Sequence, residues 1–168
     1  MTQQQLDDLV GRLDVIDAFY RYARAVDERD WDAMADLFTE DVIVRFDGPA
    51  RGILPVRLDG REEFLTEFRT FFGICGSTYH VSMNHEVRVD GDVATARAAY
   101  RDLDERVDGE HVLCVENLGF FDARLVRTPH GWQFTELHGT TVISRGATEE
   151  EIFAPVVALE TTRSRRRG

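Results

Sequence analysis

From Tyr79 onward the chain carries four long strand-like segments with almost nothing between them. They run Tyr79–Val89, Val93–Asp104, His111–Arg127 and Trp132–Ser144, divided by the turns Asp90-Gly91, Asp108-Gly109 and Pro129-His130-Gly131. Connections that short join antiparallel neighbours, whereas parallel strands need a crossover of about a dozen residues or more. The pattern predicts an antiparallel meander and excludes a succession of βαβ units. A shorter β-branched run, Val42–Phe46, precedes the loop DGPARGILP.

Helical periodicity occupies the first part of the chain. Thr2 and Gln5 have capping-box spacing and open a helix to about Val26. Its apolar positions Leu6, Leu9, Val10, Leu13, Ile16, Phe19, Tyr20 and Ala23 recur at the helical period. Asp30 is placed to cap a short second helix carrying Trp31, Met34, Leu37 and Phe38. Asp59 and Glu62 predict a second capping box, followed by the stripe Phe64, Leu65, Phe68, Phe71 and Phe72 and closed by Gly73 and Gly76.

Helices against one side of a curved antiparallel sheet give an α+β cone whose concave face and helices enclose a cavity. Ala94, Ala96 and Ala98 share one strand face and Gly119 interrupts another strand, which suits sharp bending or room for a ligand. The 168 residues, with 11 Phe, 4 Tyr and 2 Trp, predict one domain: a core over about 6–145 and a C-terminal segment over 146–168. In that segment Phe153, Val156, Val157 and Leu159 form an amphipathic stretch interrupted by Pro155. It covers the cavity mouth, joins a subunit interface or packs in the core.

Charge and composition exclude several classes. All 20 basic residues are Arg, so Schiff-base chemistry and a covalent pyridoxal phosphate linkage have no amine to use. A net charge of -11 opposes nucleic-acid binding, which needs a basic face. Arg163, Arg165, Arg166 and Arg167 are the local exception and read as a solvated tail. No apolar stretch approaches the roughly 18 residues of a membrane span, and MTQQQLDDLV lacks leader-peptide features, which gives a cytoplasmic expectation. Cys75 and Cys114 form no CxxC pair and read as small buried hydrophobes. No GxGxxG, phosphate loop or GxSxG elbow occurs.

The informative residues are polar ones set among apolar ones. Tyr22 has two readings, a core tyrosine or a cavity hydroxyl; Asp27 is a loop carboxylate or a site residue. In Tyr79-His80-Val81-Ser82-Met83-Asn84-His85, a regular strand places His80, Ser82 and Asn84 on one face and Val81, Met83 and His85 on the other. The His80 face continues as Glu86 and Arg88, so an unbroken strand sends His80 to solvent unless a β-bulge or a deep polar cavity intervenes. The odd spacing also points His80 and His85 apart, and the five histidines offer no metal-ligand spacing. Asp102 and Asp104 read as a solvated strand end or as pocket carboxylates.

The stretches IDAFYRYARAVDERDWDAMADLFTEDVIV, DGREEFLTEF, YHVSMNHEVRVDGDVATARAAY and GWQFTELH resemble, in order, the SnoaL-like branch of the NTF2-like superfamily. Within it, Tyr22, Asp27 and His80 match the catalytic positions of the scytalone dehydratase and bile-acid 7α-dehydratase group, and Asp102 matches a further pocket carboxylate. Phe46 stands where the related ketosteroid isomerases keep their base, with Asp47 adjacent, and Thr141 stands where the bile-acid enzyme has an Arg. The resemblance implies a cofactor-independent dehydratase acting on a hydrophobic cyclic or polyketide-like hydroxy-carbonyl compound. Asn84 and Asp102 would position that substrate, no metal is required, and the subunits form a dimer or trimer. An isomerase, a cyclase or a noncatalytic binding protein of the same fold are the alternatives. Tyr22 and Asp27 are about 140° apart on a straight helix, so convergence of the trio predicts a helix that ends or bends before Asp27.

Overall fold

The computed structural model describes residues 2–154. The helices are α1 (Gln3–Glu28), α2 (Trp31–Asp36) and α3 (Arg61–Phe72). The strands are β1 (Phe38–Asp47), β2 (Val56–Asp59), β3 (Thr78–Asp90), β4 (Val93–Asp108), β5 (His111–Thr128) and β6 (Gly131–Gly146). A helical turn over 149–154 follows. The Arg cluster, Pro155, Val156, Val157 and Leu159 lie outside the described residues.

The strands form a sheet in the order β2-β1-β6-β5-β4-β3. β3 to β6 pair antiparallel in chain order, as their short turns dictate. β1 departs from the meander by pairing with β6 in parallel, while β2, which follows the DGPARGILP loop and is not among the expected strands, closes the edge beyond it. With the helices laid on the concave face, the whole is the NTF2-like α+β cone that the sequence predicts. Phe19, Phe38, Phe64 and Phe134 are fully buried where helices meet sheet, and the Phe38–Phe64 and Phe19–Phe134 centroids are 4.6 and 5.1 Å apart.

Local chemistry explains the helix ends. Thr2 and Gln5 make the reciprocal capping box of α1, and the Asp30 carboxylate accepts from the Ala33 N–H at 3.0 Å to cap α2. The cap of α3 differs from expectation. Gly60, at φ 102, is its N-cap, because Asp59 is still in the extended backbone of β2 and its carboxylate pairs with Arg57 at 2.7 Å. Glu63, not Glu62, reaches back, accepting from the Asp59 N–H at 2.8 Å.

The decisive irregularity is in β3. Its register against β4 slips between Met83 and Glu86, and Asn84 adopts the left-handed φ of 54. The extra residue is a β-bulge, and a bulge reverses the alternation of side chains. Before it, His80 and Ser82 face the concave side; after it, Val87 does, buried at 7% exposure. An unbroken strand could not hold both His80 and Val87 inside. Asn tolerates this backbone conformation and a β-branched residue does not. Asn84→Val is therefore expected to lower unfolding free energy in urea by about 1–2 kcal/mol, with Asn84→Gly close to wild type.

The concave row of β4 changes character along its length. Ala94, Ala96 and Ala98 are small and buried, and Tyr100, Asp102, Asp104 and Arg106 continue the same face. Gly119 pairs across from Tyr100, and a Cβ there would lie 2.8 Å from the Tyr100 ring. That glycine makes room for a side chain of the protein itself, stacked on Phe121 at 4.5 Å, not for a ligand.

Candidate active site

Between α1, α3 and the sheet lies a cavity of about 400 Å³, within the range typical of small-molecule sites. Its walls are largely apolar: Phe46 from β1, Leu54 to Val56 and Leu58 around β2, and Phe68, Phe71 and Phe72 from α3. Phe153 of the C-terminal helical turn completes the wall and packs on Phe71 at 5.0 Å. Among these apolar groups stand Tyr22, His80, Asp102, Asp104, Asn117 and Glu149. This places a polar interior inside a hydrophobic shell.

The Asp27–His80 pair organises the deep end. Asp27 accepts from the His80 backbone N–H at 3.0 Å, while its other oxygen lies 2.7 Å from His80 Nδ1. The same oxygen accepts from the Thr78 hydroxyl at 3.0 Å, and Arg29 donates to Thr78 at 2.8 Å. Arg29 also donates to the carbonyl of Phe72, whose ring meets His80 edge-on at 5.5 Å. Arg29 is the left-handed C-cap of α1, so one guanidinium ties that helix end to α3 and β3. With Nδ1 committed to Asp27, Nε2 is the ring nitrogen left for the cavity.

α1 runs unbroken through Asp27 to Glu28, which corrects the expectation of a helix ending before it. The trio needs no break because Asp27 is not part of the cavity lining. It stands behind His80, so only Tyr22 and His80 have to reach the same space. Tyr22 is 3% exposed and is held edge-on by Phe38 at 6.1 Å and Phe121 at 5.8 Å.

The electrostatics follow from burial and crowding of acids. Asp102 is the cross-strand partner of His80. Burial pushes its carboxyl up to about 7, against the lowering pull of His80. Burial alone would lower His80, but Asp102, Asp27 and Asp104 outweigh it and carry the imidazole up to about 9. Asp27 is held low: burial would raise it, and its hydrogen bonds from His80 and Thr78 prevail. Burial holds the Tyr22 phenol well above its ordinary value, so it stays a neutral donor. His80 and Asp102 are coupled through their charges, so their two ionisations belong to the pair.

Other expectations resolve differently. Asn84 is exposed at the bulge and does not line the cavity; its backbone, not its amide, shapes the site. The bulge also turns His85 to the helix-covered side, against Phe19 at 5.3 Å and Ser82 at 3.1 Å, so it does not point away from His80's face. Thr141 is buried and bonded to the Tyr100 hydroxyl at 2.6 Å. Phe46 faces the cavity, whereas Asp47 lies 3.0 Å from His138 Nε2, at an angle too oblique for a hydrogen bond. The isomerase arrangement is thus absent at that position. Burial pushes the Cys75 thiol up to about 12, leaving it a poor nucleophile. Among the described residues no helix is long and apolar enough to cross a membrane, and no three His, Cys, Asp or Glu are arranged to hold a metal ion.

Two further lining residues lie outside the set to which the sequence points. Asn117 occupies an inward position of β5 and donates to Glu149 at 3.2 Å; Glu149 also accepts from the Leu54 N–H at 2.8 Å. Inward alternation along β5 could have flagged Asn117, the polar member of the row Val115, Asn117, Gly119, Phe121.

Comparison with known proteins bears on the family and the fold. The chain is 28% identical to the uncharacterised protein Rv2910c of Mycobacterium tuberculosis over 127 residues, 75% of this chain and 82% of that one. Among solved structures, a Novosphingobium aromaticivorans protein whose name proposes an aromatic ring hydroxylase is 27% identical. It superposes with a TM-score of 0.72 over 83% of this chain and 94% of its own. A second protein from that organism, whose name proposes a scytalone dehydratase, shares the fold at 18% identity, a TM-score of 0.69 and coverages of 83% and 93%. The family model of the SnoaL-like domain matches residues 7–138, well over half of the sequence. On that match the chain belongs to the SnoaL-like domain family.

Proposed function

We propose that the protein is a cofactor-independent dehydratase that removes water from a hydrophobic cyclic β-hydroxy ketone. The observation that carries this reading is the 2.7 Å Asp27–His80 contact beside an apolar cavity that also holds Tyr22 and Asp102. The neutral imidazole takes the proton next to the carbonyl through Nε2, and Asp27 holds the ring by Nδ1–H. The electron pair of the broken C–H bond forms the new double bond. Tyr22 donates to the carbonyl oxygen as negative charge gathers on it, in a site where few waters compete. The C–O bond breaks as the protonated carboxyl of Asp102 hands its proton to the departing hydroxyl, giving water. His80, now protonated, then returns its proton to its neighbour Asp102, and the cycle closes without a cofactor.

Asp102 supplies the proton that a leaving hydroxyl needs, and an isomerase or cyclase would use the same kind of groups, so product mass separates the readings. A suitable probe is 3-hydroxy-1-tetralone, which aromatises to fluorescent 1-naphthol when it loses water. Mass spectrometry after incubation should show 1-naphthol. Recovery of an isomer of unchanged mass would instead identify an isomerase, and no conversion of this or related cyclic hydroxyketones would favour a binding protein.

A further inference from the structure

A second set of polar groups lines the same cavity, and the reaction above does not use it. Asp104 is 5% exposed and Asn117 6% exposed, and one oxygen of each, Oδ1, lacks a hydrogen-bond partner. Donation by Asn117 Nδ2 to Glu149 fixes which end of that amide is the oxygen. Both residues belong to the lining, as does Glu149. Buried acceptors are ordinarily paired, so two left open in one cavity mark a place where a donor belongs.

The charge of the lining points the same way. Glu63, Asp104 and Glu149 line the cavity, and among the described residues no arginine does. A carboxylate or phosphate on the substrate would enter among these carboxyl groups, with no guanidinium among the described lining residues to receive it. We propose that Asp104, Asn117 and Glu149 form a donor-selecting subsite: the substrate carries a hydroxyl or amine remote from its reacting carbon, and anionic compounds are rejected. This rests on the dehydratase reading only for the identity of the reacting end, since the subsite binds whether or not chemistry follows.

The test is equilibrium binding of three probes that share one ring system, followed by fluorescence: 2-(aminomethyl)naphthalene, 2-(hydroxymethyl)naphthalene and 2-naphthoate. The amine and the alcohol are expected to bind about tenfold or more tighter than the carboxylate, the scale of one hydrogen bond to a charged group. The preference should persist in high salt, because buried charges are screened little. It should shrink in both Asp104→Asn and Glu149→Gln, with circular dichroism confirming that each variant is folded. Whichever of the amine and alcohol binds tighter then identifies the donor. Equal affinities, tighter naphthoate binding, or a preference that salt abolishes would overturn the subsite; the last would trace it to the net charge of -11. His80→Ala separates the two proposals, since it should keep the probe order while losing turnover.

Discussion

His80→Ala is expected to lower kcat for water loss by about 10²- to 10⁴-fold, the range general bases supply, without unfolding the protein. Asp27→Asn should lose a comparable factor for another reason. An asparagine at position 27 can still accept from the His80 backbone N–H, but its amide no longer enforces Nδ1–H by charge. The tautomer and orientation of the base then drift. The structural role of Asp27 predicts a signature that simple unfolding lacks. The imidazole pKa of the Asp27→Asn variant, followed by NMR, should fall below its wild-type value of about 9, because Asp27 is one of the carboxylates that raise it. Turnover unchanged in His80→Ala would remove the base from the mechanism.

The second large effect concerns Asp102. With Asp102 near 7 and His80 near 9, kcat/KM should follow a bell whose limbs fall at about 7 and about 9. The active form has a neutral base and a protonated acid, the minor tautomer of the state with one proton on the pair, because His80 is the more basic of the two. Below about 7 a second proton blocks the base, and above about 9 the last proton leaves and the acid is gone. Asp102→Asn cannot donate a proton, so the rate should fall by about 10²- to 10⁴-fold. Its alkaline limb should disappear, because no acid remains to be lost. Its acid limb should then report His80 alone, between about 7 and about 9, since the Asp102 carboxylate is the first of the groups raising His80 against burial. A variant profile with the wild-type alkaline limb would contradict the assignment of Asp102 as the acid.

Much of the fold could be read from local chemistry. The meander, the three helices, the Thr2–Gln5 box and the Asp30 cap each follow from residues a few positions apart. What escaped is non-local. The parallel pairing of β1 with β6 joins segments some ninety residues apart, with no turn to announce it. The Asp59 cap failed because an edge strand, β2, claimed that residue's backbone first. Of the site, the closeness of Asp27 to His80 followed the resemblance, while plain alternation argued the other way. The bulge at Asn84 resolves that conflict, and nothing but a left-handed-tolerant Asn between two otherwise consistent half-strands hinted at it. Asn84 itself illustrates the limit of pattern matching: a polar residue at the right spacing serves the site through its φ angle. Arg29 and Glu149 were illegible because their roles depend on β3, α3 and the 50s loop arriving beside them.

The hydroxyl pair of Tyr100 and Thr141 has a consequence for ligand size. These two groups satisfy each other on the concave face immediately beyond Asp102, and the stacked Phe121 seals the row behind them. The well has a floor there, built from the protein's own hydrogen bond, and the alanines farther along β4 never see the ligand. A long flexible tail therefore cannot extend along β4 beyond that floor, so molecules of very different length would share one reacting depth and differ only in what lies away from it.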